Sequence, residues 1–382
     1  MQPAFELADV LNLHWPQIEK SAHINSFQLR VLSALKVCRT AALGGHLDAC
    51  NSCGTVRISY NSCRNRHCPK CQGHKREVWI QNREADLLPV PYFHVVFTLP
   101  DALNKRAMQQ PKKVYDALFE AAWQTLNLFG LQAQHLGAQT GMIAILHTWG
   151  QQLTLHPHLH CIVPGGGITK TGVWKLAKSN GKYLFPVKAM SVVFRGKYIA
   201  ALAQKGIVFT KDEKAVLYKN NWVVFAKQPF GNAASVVEYL GRYTHKIAIS
   251  NHRILQVDKH TVTFSYKDYR MAGNKKQLTL TGLEFIRRFA LHILPHGYVR
   301  IRHYGLLSST SKRSNLAQIR AQVKAVTIRT KDPRIIIMYN PLVCPCCKTE
   351  TMVTIHIYPK RGPPNLAIVK TIKMNTKQAQ KN

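Results

Sequence analysis

Ten cysteines are spread unevenly over 382 residues, and their spacing is the first chemistry the sequence offers. Five crowd into residues 50–71 as C-x2-C-x9-C-x4-C-x2-C. A two-residue spacer lets a tight knuckle aim both thiolates at one ion, and two knuckles complete a tetrahedral zinc site. Cys50, Cys53, Cys68 and Cys71 are therefore expected to hold one Zn2+, with Cys63, His46, His67 and His74 as nearby candidate ligands. The N-terminal MQPAFELADVLNLHW has neither a basic start nor a long apolar stretch, so no secretory signal is expected. Without an oxidising compartment, C-x2-C pairs point to metal rather than disulfides. Cys38 and Cys161 stand alone. Cys344, Cys346 and Cys347 form a CPCC patch with one C-x2-C pair and no second pair after it; His356 is the nearest other ligand type.

A second constellation is His156-Pro157-His158-Leu159-His160, in a stretch that reads as extended. Side chains at i and i+2 of a strand share a face, so His158 and His160 project together and Leu159 enters the other layer. Two imidazoles form half of a divalent-metal site. The third ligand is expected from His156, His94, Gln152 or Glu238. Hydrogen-bonded core histidines are the alternative reading. Tyr239 and Tyr243 lie one turn apart on a helix expected to start at Ser235 and run to about Lys246. A phenol is a poor nucleophile unaided, and a metal that polarises a target phosphate would compensate. Arg242, His245 and Lys246 can bind flanking phosphates. Two packed core tyrosines are the alternative.

These groups must be held by elements that the sequence punctuates clearly. A helix is expected over 26–43, capped by Ser26 and stopped by Gly44-Gly45, and another over 76–88. Residues 92–99 read as a buried strand. Pro111 opens a helix to 129. Strands are expected over 141–148 and 153–163, the latter broken by Gly165-Gly166-Gly167. Asn180-Gly181 signals a hairpin between 173–176 and 183–187. A short strand is expected at 222–226, and a hairpin joins 253–257 to 261–266. Thr281-x-x-Glu284 is a capping box for a helix to 294, and 298–304 closes as a strand. Residues 308–314 read as a polar, basic linker, and 366–382 as a disordered tail. The central block mixes strands and helices without strict alternation, which makes the fold α+β with a mainly antiparallel sheet.

Composition limits the partner. Fifty-three Lys and Arg against 18 Asp and Glu give a formal net charge of +35, which attracts polyanions. No apolar run is long enough to span a bilayer, and the cations form no amphipathic stripe, so nucleic acid is expected rather than a membrane. Arg64, Arg66 and Lys70, beside the cysteines, are candidate phosphate contacts. The apolar fraction of 46% excludes disorder of the whole chain.

In order along the chain, SCRNRHCPKCQ, FHVVFTLP, HTWGQQLTLHPHLHC and YLGRYTHKIAISN resemble the two-tyrosine rolling-circle transposases of bacterial insertion sequences, within the histidine-hydrophobic-histidine endonucleases. The resemblance covers about residues 25–305. It implies a five-stranded antiparallel sheet with flanking helices, preceded by a small helical and zinc-binding module. It implies Mg2+ or Mn2+ on His158 and His160, nucleophiles at Tyr239 and Tyr243, and a zinc module that binds transposon-end DNA. The expected divisions are 1–88 for that module, 89–305 for the catalytic domain and 306–382 for a basic C-terminal region. The activity so implied cuts and rejoins single-stranded or hairpin DNA through a 5′-phosphotyrosine, in a bacterial cytoplasm at the nucleoid. The rivals are a zinc-dependent nucleic-acid-binding protein without catalysis and a metal-dependent hydrolytic nuclease. The CPCC patch departs from the family pattern.

Overall fold

The computed structural model describes residues 3–72, 87–178, 183–230, 247–268, 271, 273–323 and 340–360. Two helices, α1 (Leu7–Glu19) and α2 (Ser26–Lys36), precede a hairpin of β1 (Gly45–Cys50) and β2 (Val56–Tyr60). Then come β3 (Tyr92–Thr98), α3 (Asn104–Gln109), α4 (Pro111–Leu131), β4 (Gly141–Trp149) and β5 (Leu155–Pro164). A small hairpin, β6 (Gly166–Ile168) and β7 (Trp174–Leu176), is followed by α5 (Val187–Gln204), α6 (Lys211–Lys219) and β8 (Val224–Phe230). The chain continues through β9 (Ile254–Val257), β10 (Thr261–Asp268), β11 (Asn274–Thr281) and α7 (Gly282–Ala290). It ends with β12 (Ile301–Gly305), α8 (Ser309–Gln322) and β13 (Met352–Tyr358).

The α+β class and the five-stranded antiparallel sheet are as expected. Its order is β12-β4-β5-β3-β8. The sheet is buried on both faces, so its central strands read as near-continuous apolar runs. Val95, Phe97, Leu146, Leu159 and Cys161 point to one side and pack against α4 and α5. Phe97 meets Phe194 there, with ring centroids 4.9 Å apart. On the other side, Tyr92, Ile143, Ile145 and Ile162 are covered by Leu306, Leu307 and Ile319 of α8.

A second core joins α1, α2 and α7 to the sheet β11-β10-β9, around Phe264 and Phe285. Cys38, Cys68, Cys71 and Leu153 share it, so the cysteine-rich module and the loop after β4 are packed as one. A third sheet, β13-β1-β2, brings a C-terminal strand back to the N-terminal hairpin.

Several expectations are corrected. The helix expected over 26–43 starts one residue earlier in capping terms and ends sooner. Asn25, not Ser26, is its N-cap: its Oδ1 accepts from Gln28 N at 2.9 Å, and Gln28 Oε1 accepts from Asn25 N at 3.0 Å. After Lys36 the helix ends, Cys38 is buried, and Arg39 takes a left-handed φ of 58°. Gly165-Gly166-Gly167 does more than break a strand. Gly166 and Gly167 belong to β6, where a Cβ would lie 2.4 Å from Trp174 and 2.5 Å from the Gln139 carbonyl. β7 pairs with β6, and 183–186 are irregular rather than the expected strand. The expected linker at 308–314 lies at the start of α8, capped by Ser308 Oγ accepting from Ser311 N. The 281–294 helix ends at Ala290, though Thr281 caps it as expected. Helices α1, α5 and α6 and strand β11 were not anticipated. The helix expected from Ser235, most of that at 76–88, Asn180-Gly181 and the tail lie outside the described residues. Among the described residues no helix is long and apolar enough to cross a membrane.

Candidate functional site

The histidine pair lies where the alternation of β5 puts it. Leu159 is fully buried in the α4/α5 core, and His158 and His160 occupy the opposite face. Antiparallel register sets His147 of β4 directly across from His158, and Val96 of β3 across from His160. His147, His158 and His160 each offer a ring nitrogen within 4.8 Å of the others. Their ring centroids are 4.6–5.5 Å apart and steeply inclined.

Neighbouring groups fix which nitrogen is available. His158 Nδ1 donates to the His156 carbonyl at 2.6 Å. His160 Nδ1 shares a 2.8 Å hydrogen bond with His94 Nε2, and the two rings stack. With Nδ1 engaged, Nε2 is the nitrogen each can offer a cation, and this outer support orients the rings. His94, expected as a possible third ligand, is instead a partner of His160. His147, absent from the candidates, completes the triad. His156 lies outside it; burial pushes its pKa down. Gln152 gives its backbone carbonyl to Arg288 at 3.2 Å. Trp149 stacks on His147 at 4.5 Å and approaches His292 at 6.0 Å. Three imidazoles fit Mn2+ better than Mg2+, which favours oxygen ligands and keeps its waters.

The cysteines form two clusters, and neither is the expected one. Cys38, Cys63, Cys68 and Cys71 converge in one, and Cys50, Cys53, Cys344 and Cys347 in the other. Cys50/Cys53 and Cys68/Cys71 are therefore separate half-sites, not one tetrahedral set. The reason is the β1–β2 hairpin. It carries the first knuckle to the far end of its strands, while Cys68 and Cys71 pack under α2 beside Cys38. In the first cluster Sγ–Sγ distances are 3.5 Å for Cys38–Cys68, 3.6 Å for Cys38–Cys71 and 3.7 Å for Cys63–Cys71. A ZnS4 tetrahedron with bonds of ~2.3 Å has edges of about 3.8 Å, so this donor set fits zinc; disulfides would need ~2.05 Å. Without a cation the thiols compete for charge. Hydrogen bonds from Cys63 and Cys68 draw Cys38 down, and Cys38 pushes Cys63 and Cys68 up. His46 pairs with Asp48 at 3.4 Å, and His67 is buried outside the clusters, its pKa lowered to about 3 by desolvation.

The expected DNA contacts near the cysteines lie in different surroundings. Arg66 donates to the carbonyls of Tyr298 and Pro295, which ties the module to the chain before β12. Lys70 pairs with Glu6 at 2.5 Å. Arg64 lines an open groove with Arg39, Tyr60, Asn61 and Lys360. Tyr239, Tyr243, Arg242, Lys246, Glu238 and His74 lie outside the described residues.

Residues 141–315 match the family described as "Putative transposase", and residues 10–99 match the "Transposase zinc-binding domain". Cys344 and Cys347 lie beyond both ranges. The chain is 41% identical over 390 residues to the "Putative transposase y4qJ" of Sinorhizobium fredii, across 94% of this chain and 97% of that protein. It is 27% identical over 345 residues to the "Transposase for insertion sequence element IS801" of Pseudomonas savastanoi pv. phaseolicola, across 86% and 83% respectively. No solved structure matches it.

Proposed function

The chain belongs to the insertion-sequence transposases that carry a transposase zinc-binding domain, and we propose that it cuts and rejoins single-stranded DNA through a 5′-phosphotyrosine. The observation that carries this reading is the imidazole triad His147, His158 and His160, buttressed by His94, on one face of the sheet. These three would hold one divalent cation, Mn2+ or Mg2+, which supplies Lewis-acid polarisation of the scissile phosphate.

Tyr239 and Tyr243 are the proposed nucleophiles. A phenol oxygen bonds to phosphorus, the bond to the 3′ oxygen breaks, and that oxygen leaves as a 3′-OH. The phosphodiester energy is kept in the phosphotyrosine, so rejoining needs no nucleotide cofactor: a 3′-OH attacks phosphorus and the tyrosine leaves. The second tyrosine serves the matching cut, and i,i+4 spacing suits two phenols to one site. Chain reach supports this. Ile247 lines a small cavity with Trp149, whose ring stacks on His147. Tyr243 is four residues before Ile247, a span of at most about 14 Å.

The zinc-binding module is proposed to hold its Zn2+ on Cys38, Cys63, Cys68 and Cys71 and to grip transposon-end DNA. Its groove offers Arg39, Arg64 and Lys360 for phosphates and a part-exposed Tyr60 for stacking on a base. Arg242 and Lys246 would extend the phosphate contacts toward the cleavage site. The work is proposed to take place in the bacterial cytoplasm, at the nucleoid, on single-stranded or hairpin ends.

Trapping with labelled single-stranded DNA tests the chemistry. Wild-type protein plus Mn2+ should form a covalent adduct. Tyr239→Phe with Tyr243→Phe should form none, while each single variant keeps one cleavage. Full adduct from the double variant removes the tyrosines from the mechanism. Cleavage without any adduct favours the hydrolytic nuclease, and neither favours a binding module.

A further inference from the structure

Cys344 and Cys347 reach the N-terminal hairpin from 291 residues away and close against Cys50 and Cys53. Two knuckles of the same construction face each other there. In the first, Cys50 N donates to Thr55 O at 2.9 Å and Gly54 N to Cys50 O at 2.9 Å. In the second, Cys344 N donates to Thr349 O at 2.8 Å and Lys348 N to Cys344 O at 3.1 Å. The residue after each second cysteine is left-handed, Gly54 at φ 68° and Lys348 at φ 63°. Glycine adopts that region freely, but lysine does so at a cost, so the second knuckle holds its shape against local preference.

Polar groups are gathered around the sulfurs. The hydroxyls of Thr351, Thr55 and Thr349 lie 3.1, 3.1 and 3.0 Å from Cys50, Cys53 and Cys347 Sγ. Cys346 N donates to Cys344 Sγ at 3.4 Å. Such donors suit thiolates, the form that binds metal. The Sγ–Sγ distances are 3.5 Å for Cys50–Cys347 and 3.6 Å for Cys53–Cys344, close to a ZnS4 edge and far from a disulfide. Next to the cluster, β13 pairs with β1 from Cys50↔Met352 to Gly45↔Tyr358. Buried Asp48 accepts from Thr354 Oγ1 at 2.8 Å and from Arg57 at 3.1 Å, a polar tie across all three strands. Cys346 is exposed and outside the cluster.

We propose that Cys50, Cys53, Cys344 and Cys347 bind a second Zn2+, which clamps the C-terminal segment 340–360 onto the N-terminal module. Binding exchanges thiol protons for the dication and involves no redox change. The clamp would carry Lys360 to the groove that Arg39 and Arg64 line. That consequence rests on the groove being a phosphate site; the metal count and thiol protection do not.

The purified full chain tests it. Metal analysis should find two zinc ions per chain. Cys344→Ser with Cys347→Ser should lose one, and Cys346→Ser should lose none. An alkylation experiment needs no variant and so does not depend on how a variant folds. In zinc-loaded protein, Cys344 and Cys347 should react on the order of tenfold more slowly than Cys346, and a strong chelator should remove the difference. A double variant that keeps as many zinc ions as the wild type overturns the clamp. So does equal alkylation of Cys344, Cys346 and Cys347 in the zinc-loaded chain.

Discussion

His147 and His94 divide the work around the histidine pair, and substitution should separate their roles. His147 is a proposed ligand, so His147→Ala should abolish Mn2+-dependent cleavage as fully as His158→Ala. His94 touches His160 rather than the cation, and loss of such outer support costs ~10–100-fold in metal affinity or activity. His94→Ala should therefore keep some cleavage and need more Mn2+ to reach it. Cleavage titrated against Mn2+ for the three variants checks this; wild-type cleavage by His147→Ala at limiting Mn2+ would remove His147 from the ligand set. The sequence made His158 and His160 legible because strand alternation is local. His147 was hidden because its membership depends on strand register, which includes an irregularity between His147 and Trp149. The cysteines hid theirs similarly. C-x2-C spacing announces a half-site, but nothing local says which half-site completes it, and Cys38 has no paired spacing at all.

Elements with strong local signals were read well: the apolar runs of β3, β4 and β5, Pro111 at the start of α4, and Thr281 at the cap of α7. Those misread lacked them. The start of α8 is polar because the apolar contact that holds it, Ile319, comes a turn or more beyond the serine-rich stretch. At the joint between β4 and α7 a single buried group makes a test possible. His292 accepts or donates with Thr148 Oγ1 at 3.2 Å through Nδ1 and contacts the Leu153 carbonyl at 3.1 Å through Nε2. Burial lowers its pKa to about 4, whereas an unfolded histidine titrates near ~6.5. Below pH ~6.5 the unfolded chain therefore binds a proton that the folded chain refuses, and stability falls with pH until about pH 4. The loss over that window is on the order of 3 kcal/mol. His292→Gln lacks the titration, so its stability should fall less steeply between pH 6.5 and 4 than that of wild type. Denaturant unfolding across that range checks it, and parallel slopes would show that His292 does not titrate on unfolding.

At the scale of the whole chain, charge and closure act together. The class and the central sheet were legible, the first from the pattern of elements and the second from the family resemblance. The return of β13 to β1 was not, because strand pairing across so long a separation leaves no periodic mark in the sequence. The charge of +35 is a different matter: it is visible in composition, but its distribution is not. Several cations are spent inside. Arg66 holds carbonyls, Arg302 pairs with Asp116 at 2.5 Å, and Arg287 and Arg288 share Glu284. The groove that Arg39, Arg64 and Lys360 line lies beside the zinc-binding module. If it grips single-stranded DNA, each neutralised phosphate releases condensed counterions, and log K falls with log salt by ~0.7 per phosphate. A grip on ~6 phosphates gives a slope near −4, so affinity should drop ~300-fold between ~50 and ~200 mM salt. Arg64→Ala should lower the slope by ~0.7 as well as weakening binding, because one phosphate contact is lost. Arg66→Ala should instead act through stability, since its guanidinium ties the module to the residues before β12. Fluorescence-anisotropy titrations over a salt series separate the two. An unchanged slope for Arg64→Ala would move the DNA path off this groove, and a flat salt response in the wild type would discard the electrostatic account of binding altogether.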